Sequence, residues 1–202
     1  MNTRPKGGER SKINPYQKIE WIKETRGDEL RKSVVEIGRI LNSKRGLDFK
    51  AAELAHALDK HTALFSSVSP CRAGCAFCCY QSVVIFAWEA KRIAAYSKRK
   101  LAKFKGVNLH GAQTARQQYI TKYNGKICPF LVDNKCSVYP VRPFACRLHV
   151  SLDSDAKSCD TINNPGAEVP YLNITEIMLE IAKLFDTHKQ NSGDIRDFFG
   201  EA

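Results

Sequence analysis

Apolar residues recur at helical spacing in four stretches of the chain. Leu30, Val34, Ile37 and Leu41 mark a helix that starts at Asp28 and stops in the segment 42–46. A second stripe of Ala51, Leu54, Ala55, Leu58 and Phe65 follows, with Asp48 as its expected cap, so residues 28–66 read as a helical hairpin. A third helix is expected over 86–105, with Phe86, Ala90, Ile93, Ser97, Leu101 and Phe104 on one side and Gly106 ending it. The last begins near Asn173, three residues before Glu176, and presents Ile174, Ile177, Met178, Ile181, Leu184 and Phe185.

Between the third and fourth stripes the helical pattern fades. A weaker helix is expected over 112–122, and Asn124-Gly125 signals a turn. Asp133-Asn134 is a second turn between the apolar Phe130-Leu131-Val132 and Val138-Tyr139, which predicts a small β-hairpin bringing Cys128 and Cys136 close together. The expected fold is mainly α, a helical domain with a loop-rich cysteine cluster and at most that hairpin. Four segments are expected: a basic, loose N-terminal arm at 1–27, the helical hairpin at 28–66, a cysteine-bearing metal-binding unit at 67–165, and a C-terminal helix within 166–202 packed on the core.

Charge is distributed unevenly. The formal net charge of +11 divides into +5 over 1–66, +10 over 67–127 and −4 over 128–202. The middle segment suits non-specific contact with nucleic acid through the basic side of helix 86–105, where Lys91, Arg92, Lys98, Arg99, Lys100, Lys103 and Lys105 fall. A solvated helix face is the commoner meaning of such a run, and cations near a helix C-terminus also offset its dipole. An unidentified protein or small molecule remains the other class of expected partner. No apolar run approaches the roughly 18 residues of a membrane span, and the polar start, 1–10, has no apolar stretch behind it. A cytoplasmic location without membrane contact is therefore expected.

In that reducing setting the eight cysteines, all between Cys71 and Cys159, point to metal binding or redox chemistry rather than disulfides. Four of them, Cys71, Cys75, Cys78 and Cys79, occupy nine residues, with Gly74 to turn the backbone. Thiolates are soft anionic donors suited to zinc or iron. Neighbouring side chains usually diverge, so one of Cys78 and Cys79 is expected to serve a second site or to pack. Cys128, Cys136, Cys146 and Cys159 are spaced too widely for a zinc ribbon or finger, which implies a discontinuous site. Arg72, Arg142 and Arg147 are placed to lower thiol pKa values and offset the cluster's charge. Free cysteine is also among the most buried residue types, so packing is the competing role for some of the eight, but metal binding is the reading expected for the set.

The order Cys71-x3-Cys75-x2-Cys78-Cys79, then Cys128-Pro129-Phe130-Leu131, then Cys136-x-Val138-Tyr139-x2-Arg142-Pro143-x2-Cys146-Arg147, resembles the YkgJ-like cysteine-cluster family, described as zinc- or iron-chelating. The resemblance covers about residues 67–160 and includes all eight cysteines. It implies a zinc ion or a 4Fe-4S iron–sulfur cluster held by these thiols, with Tyr139, Pro143, Arg142 and Arg147 in support. The larger flagellin lysine N-methylases look like relatives with the same cluster and use S-adenosylmethionine; from them the cluster is carried over and not the reaction, and an iron–sulfur, S-adenosylmethionine-linked modifying enzyme of methylase type stands as an alternative to a metal-binding protein without settled activity.

Two further readings stand beside this one. Cys71-x3-Cys75-x-Phe77-Cys78 has the spacing of a radical S-adenosylmethionine enzyme, but the mainly helical pattern after it does not suit the partial barrel such enzymes need. A basic zinc module that contacts nucleic acid would explain the middle segment without a reaction. No phosphate loop, HExxH motif or nucleophile elbow is present. His149, three residues after Cys146, is placed to complete or tune a metal shell, although a hydrogen-bonded core histidine is the commoner role.

Overall fold

A computed structural model describes residues 14–104, 106–107 and 121–201. Among these the chain is mainly helical, with two small antiparallel sheets. Helix α1 spans Pro15–Leu41 and therefore begins well before Asp28. The cause is local. Asn14 accepts from the Gln17 N–H while the Gln17 side chain accepts from the Asn14 N–H, and Pro15 suits the first helical position. Only Arg26 departs from helical geometry, kinking the helix before Gly27. The remainder of the expected loose arm, residues 1–13, lies outside the described residues.

Helix α2, Leu47–Ala63, folds back on α1. Its N-cap is Gly46 rather than Asp48, because the Asp48 carboxylate is taken up by the Trp88 indole N–H. Ser33 Oγ and His61 Nδ1, 2.9 Å apart, join the two helices inside their interface. Helix α3, Ala87–Ser97, is shorter than the stripe predicts. Ser97 Oγ bonds back to the Ile93 carbonyl, and Lys98 turns left-handed at φ 60°. Arg99 then points inward, donating to the carbonyls of Pro129 at 2.7 Å and Phe199 at 3.1 Å. The expected basic helical face over 86–105 is therefore broken: of the described residues of that set only Lys91 and Arg92 remain on a helix, Arg92 lies over the Trp88 ring, and Lys105 lies outside the described residues. The expected helix 112–122 lies outside the described residues except for its last two.

The hairpin forms at the expected turn, but its second strand lies immediately after Asn134 rather than at Val138-Tyr139, where a 3-10 turn, Tyr139–Val141, takes over. Strands β2, Leu131–Val132, and β3, Lys135–Cys136, pair antiparallel across Asp133 and Asn134, both with positive φ. A short helix α4, Phe144–Leu148, follows, and α5, Thr175–Thr187, supplies the C-terminal apolar stripe. After it the chain adds elements that periodicity does not reveal. Strand β4, Ser192–Asp194, pairs antiparallel with β1, Val84–Phe86, and leads into helix α6, Ile195–Phe199.

Among the described residues three hydrophobic cores result. The first joins α1, α2 and α5 with Trp88, Phe144 and Leu148. The second gathers Ile85, Ile93, Phe130, Val138 and the α6 residues Ile195, Phe198 and Phe199. The third sets Ile22 of α1 against Leu64, Phe65, Val68, Val150, Leu152 and Leu172. Lys18, fully buried, secures this last core by donating to the Leu152 and Asp153 carbonyls at 2.9 and 2.5 Å. No helix among the described residues is long and apolar enough to cross a membrane.

Candidate metal centre

The cysteines lie where the loops between these cores meet. Cys71 follows Val68 of the third core and its N–H bonds to Ser69 Oγ at 3.1 Å. The chain turns at Gly74, φ 86°, with the Cys75 N–H on the Arg72 carbonyl. This left-handed position is one that glycine adopts without a Cβ penalty. Cys78 and Cys79 then sit together in a 3-10 turn, Phe77–Tyr80. A hydrogen bond links their two thiols.

The second set is carried by the hairpin and α4. The Cys128 N–H donates to the Cys79 carbonyl at 2.7 Å, and Cys136 stands opposite Leu131 in the ladder. Cys79, Cys128 and Cys136 all pack against the second core. Cys146 lies in α4, whose first N–H, that of Phe144, is held by the Glu89 carboxylate at 2.7 Å. Glu89 also accepts the Phe86 N–H, and burial raises its pKa to about 7. Pro143 is the N-cap residue of α4.

Cys159 arrives from the other side. It is buried, hydrogen-bonded to Ser151 and to the Tyr171 hydroxyl. Ser151 and Tyr171 form a β-bridge, and the same hydroxyl accepts from Gln81 Nε2 at 3.2 Å, two residues beyond Cys79. The His149 ring lies 4.4 Å from that of Tyr171. Its Nε2 is buried without a hydrogen-bond partner, and burial lowers its pKa to about 4.

Burial dominates the thiol electrostatics. It pushes Cys128 up to about 11, carries Cys146 well above the ordinary value, and raises Cys75, Cys136 and Cys159. The thiols also raise one another: Cys159 is acted on by Cys71, Cys75 and Cys78, and Cys146 by Cys78, Cys128 and Cys136. Cys78 moves the other way, to about 7, because the Cys79 thiol donates to it.

The supporting residues divide their roles. Arg142 lowers Cys136 and Arg72 lowers Cys75, as expected of cations beside thiols, while the Arg142 guanidinium also stacks on the exposed Tyr139 ring at 3.8 Å. Arg147 instead serves the scaffold: it is buried and bonds to Asp59 and to the Pro140 and Arg142 carbonyls. Asp59 also accepts Arg142 at 2.6 Å, so one carboxylate of α2 orients the segment carrying Cys136 and Cys146.

Sequence reasoning did not single out Arg196. Its guanidinium is fully buried, paired with the equally buried Asp194, and donates to the carbonyls of Cys79, Gln81, Lys126 and Ile127. It also lowers Cys128. The only local signal is the Asp194 cap of α6, which says nothing of the cysteines.

Among the described residues, no three His, Cys, Asp or Glu side chains are already drawn together tightly enough to hold an ion. The thiols are neighbours rather than a closed shell, and ligation requires their side chains to turn toward a common centre. In kind the donors fit: eight soft thiols, flanked by Arg72, Arg142 and Arg196, suit zinc or an iron–sulfur cluster.

Residues 70–165 match the model of the CxxCxxCC family, described as a putative zinc- or iron-chelating domain. This interval contains every cysteine of the chain. No curated protein and no solved structure matches the chain.

Proposed function

Proceeding from a CxxCxxCC domain over residues 70–165, we propose that this chain is a metal-binding protein whose cysteines ligate zinc or an iron–sulfur centre. The observation that carries the reading is convergence. Thiols from 71–79, from the hairpin and α4, and from Cys159 are brought to one region by tertiary contacts such as the Cys128–Cys79 and Gln81–Tyr171 hydrogen bonds. Packing alone does not need eight thiols influencing one another around that junction.

A bound zinc would tie loops that lie between cores, whereas an iron–sulfur cluster would supply electron transfer or cofactor activation. The chain's own residues do the positioning. Glu89 and Asp59 fix α4, Arg196 fixes the loops at Cys79 and Cys128, and Ser151 and Tyr171 fix Cys159.

The test is anaerobic purification followed by analysis of iron, zinc and acid-labile sulfide, with the visible spectrum. Iron with matching sulfide identifies a cluster; zinc in a colourless protein identifies a zinc site. Cys75→Ser and Cys128→Ser should each lower metal content and loosen the fold, because site formation and folding are coupled. Unchanged metal content and melting in both variants would defeat the reading.

A further inference from the structure

The cysteines are divided between two of the three cores. Cys71 continues from Val68 of the third core, and Cys159 is held by Ser151 and Tyr171, which lie beside Val150, Leu152 and Leu172 of that core. Cys79, Cys128 and Cys136 belong to the second core, and Cys146 reaches them from α4. The 3-10 turn carrying Cys78 and Cys79 is the seam between the two groups. The Cys79 carbonyl is bonded to the hairpin side through Cys128, while Gln81 reaches Tyr171 on the Cys159 side.

We propose that the eight thiols form two separate metal centres, Cys71, Cys75, Cys78 and Cys159 in one and Cys79, Cys128, Cys136 and Cys146 in the other. This rests on the metal-binding reading and adds to it the number of centres and the ligands of each. Four thiolates per ion is the closed tetrahedral arrangement of structural zinc. The thiols acting on Cys159 are all of the first group, and Cys128 and Cys136 act on Cys146 within the second. Cys78, at the seam, acts across it, first among the thiols on Cys146 and also on Cys136.

Charge favours the same division. A zinc ion with four thiolates carries a net charge of about −2, so two such centres require cations on both sides. Arg72 acts on Cys75 in the first group, and Arg142 and Arg196 act on Cys136 and Cys128 in the second.

Native mass spectrometry of the full chain, reduced and reconstituted with zinc, counts the ions. The wild type should hold two. Cys159→Ser should hold one, Cys136→Ser should hold one, and the double variant none. A wild type that binds a single ion, or single variants that each lose both while remaining folded by circular dichroism, would overturn the two-centre assignment and leave metal binding intact. A wild type that binds no metal would overturn both. If a variant fails to fold, cadmium-113 NMR of the wild type decides, since it needs no substitution. Two resonances in the all-sulfur range support two centres, and a single resonance contradicts them.

Discussion

The backbone N–H of Cys128 donates to the carbonyl of Cys79 at 2.7 Å, joining two loops that the sequence places far apart. Beneath that contact lies Arg196, whose guanidinium supplies the Cys79, Gln81, Lys126 and Ile127 carbonyls and neutralises Asp194. Arg196→Ala would strip the guanidinium from four carbonyls and leave the buried Asp194 carboxylate with only backbone donors, the N–H groups of Val83 and residue 196. Breaking a buried pair in this way costs about 3–5 kcal/mol. Urea unfolding should show a loss of that size, with weaker zinc retention, and Arg196→Lys should recover only part of it because an ammonium cannot span the same fork of acceptors. A fully stable Arg196→Ala variant would refute this role.

Asp59 is the corresponding anchor for α4. It receives both Arg142 and Arg147, and Arg147 is almost fully buried. Asp59→Asn should destabilise the protein by about 2–3 kcal/mol, the usual cost of leaving a buried charged group under-satisfied. Thermal melting checks the stability. Isothermal titration with zinc should show weaker binding, because the segment from Cys136 to Cys146 loses its orientation. Unaltered melting and affinity would mean that Asp59 is only a surface partner.

Burial keeps most of these thiols protonated at neutral pH, with Cys128 at about 11 and Cys78 alone brought to about 7. A cation must therefore displace protons, approaching four for each four-thiolate centre. Zinc titrations in buffers of different ionisation enthalpy should yield heats that diverge accordingly, and affinity should fall as pH is lowered. Buffer-independent heats would show that the ion does not bind to thiols.

His149 contributes a pH dependence of definite sign. Its pKa falls from the ordinary 6.5 to about 4 on folding, so the folded chain resists its protonation. The stabilisation is complete above pH 6.5 and is lost as pH falls through the folded value. Between pH 7 and pH 5 the stability of the wild type relative to His149→Gln should shrink by about 2 kcal/mol, at roughly 1.4 kcal/mol per pKa unit. His61, also lowered by burial, adds a slope of the same sign to both proteins and cancels in the comparison. Parallel pH profiles would contradict the assignment.

The helices of the first core were legible because Leu54, Leu58, Ile181 and Phe185 repeat at the helical period, and all four are buried. The hairpin was legible from Asp133-Asn134, two residues able to adopt positive φ. The start of α1 was obscured by its Lys-, Arg-, Gly- and Pro-rich surroundings, although Asn14-Pro15 with Gln17 is a complete helix-start signal. The end of α3 was not legible, since Ser97 and Arg99 terminate it through bonds to Ile93 and to distant carbonyls. Nor was β4, because Ser192-Gly193-Asp194 has weak strand propensity and becomes a strand only by pairing with Val84–Phe86. At the site, the cysteines and Arg142 were visible as motif residues. Asp59, Glu89, Tyr171 and Arg196 were not, because each acts through a contact distant in sequence.

X-ray absorption at the metal edge of the anaerobically purified protein tests the central claim most directly. A zinc-loaded chain should show a shell of sulfur neighbours at about 2.3 Å. A shell made only of nitrogen and oxygen at about 2.0–2.2 Å would contradict thiolate ligation and the account built on it.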